Sequence, residues 1–145
     1  MNTQVELGLR LQNAIERRLN TLTANARALV DATQVYRSSM EENQMQNLVS
    51  VTRETDSAEV VLNFILYQVG RNNKPPRTWR YGDFGVKLEE ALRALKGDAQ
   101  RIVVQVAGEE TTELVDDVWV RLIRHYVGQL RRYFYFRKNY KEARS

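Results

Sequence analysis

Residues Val118–Lys141, VWVRLIRHYVGQLRRYFYFRKNYK, contain no proline and present two opposed faces. At about 100° per residue, Trp119, Leu122, Ile123, Tyr126, Leu130, Tyr133 and Phe134 project to one side. Arg121, Arg124, Arg131, Arg132 and Lys138 project to the other. The stretch therefore predicts a long helix with one side to bury and one side suited to a negative partner. Gly128 falls near the middle of the basic side, where a missing side chain admits the close approach of another backbone.

The rest of the chain is similarly poor in helix breakers. It has two prolines, adjacent at Pro75 and Pro76, and seven glycines in 145 residues. With abundant Leu, Ala, Glu, Gln and Arg, this predicts an all-α fold: a single-domain bundle of five or six helices over residues 1–145. Thr3 to about Tyr36 reads as one long helix or two nearly collinear ones, with Leu11, Ile15, Leu19, Leu22, Ala26, Leu29 and Val30 on a stripe. A single rod over this stretch would be about 45 Å long. A polar linker follows, then a helix from about Gln44 to Glu54 with Met45, Leu48, Val49 and Thr52 inward. Asp56, with Glu59 three residues on, is expected to cap the next helix.

Ala58–Val69 is apolar on almost every side, which predicts a buried central helix with Val60, Val61, Phe64, Ile65 and Tyr67 in the core. Gly70 is expected to end it. Gly70–Gly82, GRNNKPPRTWRYG, is the clearest loop. It interleaves Arg71, Lys74, Arg77 and Arg80 with Trp79 and Tyr81, the combination that single-stranded nucleic acid needs for phosphates and bases. The simpler reading of Trp79 is as the residue that pins the loop to the core. Asp83–Leu95 is amphipathic, with Phe84, Leu88, Ala91, Leu92 and Leu95 inward. Gly97 is expected to break it and Asp98 to cap a helix over Ala99–Ala107. That segment is β-branched, but no second strand exists to pair with it. Gly108 should end it, and Thr111 or Thr112 should cap the last helix. Residues 139–145 are expected as a frayed tail.

Charge is unevenly spread. Net charge is +4, yet Glu41–Glu59 and Glu109–Val120 are acidic blocks, while Val60–Arg80 and Arg121–Ser145 are basic. Such a chain can offer a basic surface to a polyanion or let the acidic blocks of one copy meet the basic blocks of another. Acids early in the last helix and bases late in it also suit its dipole, so part of the polarity is ordinary helix electrostatics. Five aligned positives with no acid between them still point to an anionic partner, through backbone contact rather than base readout.

Several functions are disfavoured. The chain has no cysteine and one histidine, His125, which removes thiolate and multi-histidine metal sites. There is no phosphate loop, dinucleotide fingerprint or nucleophile elbow. Glu89–Glu90 and Asp116–Asp117 read as solvated acids. No cofactor and no enzymatic activity are expected. Nothing resembles a signal peptide or a bilayer span, and the lack of cysteine suits a reducing compartment, so a cytoplasmic location is expected.

Two stretches carry a resemblance. NQMQNLVSVTRETDSAEVVLNFILYQVGR, residues 43–71, and HYVGQLRRYFYFRK, residues 125–138, are similar to the small helical subunit of type III CRISPR–Cas effector complexes. They cover about a third of the chain; the long N-terminal helix is not matched. The resemblance implies a non-catalytic subunit, stacked in copies beside other effector subunits, whose basic surface follows the backbone of the guide–target strands. The residues to which this carries are Arg121, Arg124, Arg131, Arg132 and Lys138, and secondarily Arg71, Lys74, Arg77 and Arg80. The expected partners are RNA or single-stranded or hybrid nucleic acid, the other subunits and a second copy of the chain, with no membrane. The alternative is a helical interaction module or homo-oligomeric scaffold that binds no nucleic acid.

Overall fold

The computed structural model describes residues 3–140. The α-helices are α1 (Thr3–Glu16), α2 (Leu19–Thr33), α3 (Glu42–Glu54), α4 (Ala58–Arg71), α5 (Phe84–Ala107) and α6 (Thr112–Asn139). Short 3₁₀ turns at Val35–Arg37 and Tyr81–Asp83 join them. No strand forms among the described residues, and the all-α bundle expected from the breaker-poor sequence is what the chain adopts.

The bundle is built around α6, which packs against all five other helices and most extensively on α2, α5 and α3. Its inward stripe is the expected one: Trp119, Leu122, Ile123, Tyr126, Leu130 and Phe134 are buried, and Tyr133 half-buried. Thr111 caps it, its hydroxyl accepting from Leu114 N at 3.4 Å. The N-terminal stretch takes the broken form of the two expected, with the break at Arg17–Arg18 and no 45 Å rod. α1, which buries Leu11, Ala14 and Ile15, packs mainly on α5, whereas α2, which buries Leu22, Ala26 and Val30, packs mainly on α6. At the break, the Arg18 guanidinium reaches Asp98 of α5 at 3.2 Å.

Other local expectations are corrected. Gly97 does not break α5, which runs unbroken for 24 residues. One internal glycine costs about 1 kcal/mol, less than the burial of Leu95, Ala99, Ile102 and Val103 around it returns. Asp98 therefore caps nothing; it binds the guanidiniums of Arg18 and Arg101. Ser57, not Asp56, caps α4, and α4 runs past Gly70 to Arg71. This helix is peripheral rather than central: Val61, Leu62 and Ile65 are buried, Phe64 half-buried, and Val60 and Tyr67 exposed. Glu89 is buried rather than solvated, its carboxylate 2.7 Å from Arg93. Asn139 closes α6, and the expected frayed tail lies otherwise outside the described residues, apart from Tyr140.

Candidate nucleic-acid interface

The basic side of α6 is largely covered by the protein itself. Arg124 Nε donates to the Thr52 carbonyl at 2.8 Å. Its Nη2 donates to the Thr55 carbonyl at 3.0 Å and to the Asp56 carboxylate at 3.1 Å. These carbonyls are the unpaired C-terminal acceptors of α3, where a cation is electrostatically favoured. Arg131 meets Glu42, at the other end of α3, at 2.9 Å. Lys138 Nζ donates to the Ser38 carbonyl at 3.1 Å. Residues 124, 131 and 138 recur every seven positions and form one stripe, laid antiparallel along the segment 38–56. Arg121 is taken up by Asp117 at 3.4 Å and by the Gln12 side chain. The acidic block Glu41–Glu59 and the basic block of α6 thus meet inside one chain, an alternative to pairing between copies.

The internal role of Arg124 has a direct test. Arg124→Met keeps the aliphatic stem and removes the donors, leaving the α3 carbonyls without them. A loss of about 2 kcal/mol is expected in the denaturation free energy. Arg132→Ala, on the exposed side, should move it by less than about 0.5 kcal/mol.

The loop behaves differently. Trp79 is buried against Phe84, ring centroids 5.8 Å apart, and its backbone N–H donates to Asn72 Oδ1 at 2.8 Å. Asn72 Nδ2 donates to the Pro76 carbonyl at 3.1 Å, and Gln44 reaches Thr78 at 3.3 Å. Arg80 is consumed in capping α4, donating to the Val69 carbonyl at 2.9 Å and the Gly70 carbonyl at 3.4 Å. Arg71 lies over the exposed Tyr67 ring at 5.6 Å. Lys74 and Arg77 are exposed and have no ion pair or hydrogen bond among the described residues. Two anchors thus hold a tip whose cations are free.

Of the nine expected contact residues, Arg121, Arg124, Arg131, Lys138 and Arg80 are engaged internally. Arg71, Lys74, Arg77 and Arg132 are presented to solvent. No backbone approaches Gly128; nothing lies within 4 Å of where its Cβ would be. The topology gathers the C-terminal ends of α2, α4 and α6 with the N-terminal ends of α3 and α5, so the loop shares its end of the bundle with the exposed Arg37. Glu109, Glu110, Glu113 and Asp116 sit at the opposite end, exposed and without an ion pair among the described residues. The Glu109–Asp116 acids and the loop cations thus lie at opposite ends, although the exposed Arg10, Arg17 and Arg53 share the acidic end and the exposed Glu41 and Asp83 the basic one.

His125 is half-buried, its pKa pushed down by desolvation and then by the Arg121 guanidinium, against a weaker pull upward from Glu16. Burial pushes the Tyr126 hydroxyl up to about 12. No cluster of metal-ligating side chains occurs among the described residues, and no helix there is long and apolar enough to cross a membrane. Comparison of the chain with family models, with curated proteins and with solved structures finds no match.

Sequence reasoning missed Arg27, Phe136 and Tyr140. Tyr133, Phe136 and Tyr140 follow one another at spacings of three and four. They stack in the structure, with centroids 6.1 Å apart for the first pair and 5.2 Å for the second. Arg27 of α2 lies over the Tyr133 ring at 5.6 Å. The helical spacing of the three aromatics was the available signal; the contribution of α2 was not visible before the fold.

Proposed function

We propose that this chain is a non-catalytic helical subunit of an RNA-guided CRISPR–Cas effector ribonucleoprotein, binding the nucleic-acid backbone without sequence preference. The membership rests on the resemblance of residues 43–71 and 125–138. The observation that carries the binding is the anchored loop, which holds Arg71, Lys74 and Arg77 exposed, with neither acid nor carbonyl engaging the last two. An anchored backbone with unengaged cations suits phosphate contact, because Lys74 and Arg77 break no internal ion pair or hydrogen bond when a strand docks. Base pairing within the assembly would then choose the sequence.

The test is the salt dependence of binding to RNA and to an RNA–DNA hybrid. The variant Arg71→Ala/Lys74→Ala/Arg77→Ala should weaken both at least about tenfold at low salt. It should also reduce the slope of log affinity against log salt by about two to three. Unchanged affinity and slope would remove the loop from the interface.

The placement of these acids opposite the loop favours a second reading, head-to-tail self-association in which Glu109, Glu110, Glu113 and Asp116 of one copy meet the loop of the next. Oligomers that dissociate at high salt and carry no nucleic acid would support it over the first.

A further inference from the structure

A groove of about 470 Å³ runs between α2 and the C-terminal half of α6, lined by Thr23, Arg27, Gln129, Arg132, Tyr133 and Phe136. Two of these six are guanidiniums and none is an acid. Arg132 is exposed and has no ion pair or hydrogen bond among the described residues. Gly128, its neighbour one turn back, places no side chain beside it. Arg27 lies over Tyr133, whose hydroxyl donates to Asp31 at 3.0 Å, so this ring is held in place. From Tyr133 the stack continues outward through Phe136, 49% exposed, to Tyr140, 62% exposed, the last two rings inclined by 16°.

Phe136 and Tyr140 contribute little to the core, which α6 builds from its other face. Their arrangement leaves nearly parallel ring surface in water, next to two cations with no carboxylate in the groove. Flat apolar rings beside guanidiniums suit a ligand that is itself flat and anionic. We propose that this groove takes an unpaired segment of nucleic acid, with a base added to the Phe136–Tyr140 stack and a flanking phosphate between Arg27 and Arg132. The inference rests on the nucleic-acid reading above and deepens it: the bases of a duplex are already stacked on one another, so the groove selects single strands.

The experiment uses the full chain and fluorescence polarisation with three probes of equal length: an oligouridylate, an abasic strand of the same backbone, and a blunt duplex. The unmodified protein should bind the oligouridylate about tenfold more tightly than the abasic strand. Phe136→Ala/Tyr140→Ala should abolish that preference and leave abasic-strand affinity within about twofold. Both rings are exposed, and an unchanged melting temperature would show that the variant folds. Arg27→Ala/Arg132→Ala should weaken both single strands. Equal affinity for oligouridylate and abasic strand in the unmodified protein would overturn the stacking inference and leave the backbone reading standing. A preference that survives Phe136→Ala/Tyr140→Ala would also overturn it. Failure to bind any probe would overturn both. If Phe136→Ala/Tyr140→Ala instead abolishes self-association in sedimentation while strand binding persists unchanged, the groove belongs to a second copy and the inference falls.

Discussion

Trp119→Ala should lower the unfolding free energy by about 3–5 kcal/mol, about a fifth or more of the roughly 5–15 kcal/mol that a domain commonly has. The indole is 2% exposed, at the contact of α6 with α5. It is fixed at its polar end too, Nε1 donating to the Leu92 carbonyl at 2.9 Å, while the Lys96 ammonium lies 5.3 Å from its ring centroid. Truncation leaves a hole between the two longest helices, and neither can close it without moving residues along its whole length. Trp119→Phe retains most of the apolar area, and Leu92 keeps its helical partner, so about 1–2 kcal/mol is expected. Denaturant titration would check both: the midpoint should fall in that order with an unchanged slope. Trp79, the other tryptophan, remains as a fluorescent reporter in each variant.

Gly82→Ala should cost about 2–4 kcal/mol, through backbone strain and overlap together. Gly82 has φ +56°, and an added Cβ would overlap the Thr33 carbonyl oxygen and stand 3.1 Å from the Thr33 carbonyl carbon. That neighbour is backbone, at the end of α2, so it can yield only if the helix end moves. Gly108→Ala is the control: φ is +85° with nothing within 4 Å, and strain alone should cost about 1–2 kcal/mol. Equal losses in thermal melts of the two variants would show that the approach to Thr33 contributes nothing.

The stripe of α6 was legible in the sequence because helical periodicity marks a core face wherever two sides differ sharply. The same method misplaced Val60 and Tyr67, since a helix apolar all round gives no direction and α4 turns out to be peripheral. It also overstated Gly97, whose local penalty is outweighed by burial on either side. The candidate interface was less legible. Periodicity shows that Arg124, Arg131 and Lys138 share a face. It does not show that α3 lies across that face with acceptors at both ends, because the pairings span 68 to 100 residues. The loop was read correctly at Trp79, where a large ring among polar residues has few places to go but inward. At Arg80 the sequence did not show that the carbonyls at the end of α4 lie within reach of its guanidinium, because they are ten and eleven residues away along the chain.

The separation of the Glu109–Asp116 acids from the loop cations has a mechanical consequence. A body with anions at one pole and cations at the other feels a torque as well as a pull in the field of a polyelectrolyte. On the proposed function it would turn before it touches, with the 72–81 loop leading and the Glu109–Asp116 end trailing. Pairing Arg124 and Arg131 within the fold would sharpen this alignment, because free cations halfway along the bundle would invite a broadside approach. Orientation of this kind is lost once the Debye length, about 10 Å at 0.1 M salt, becomes short against the bundle.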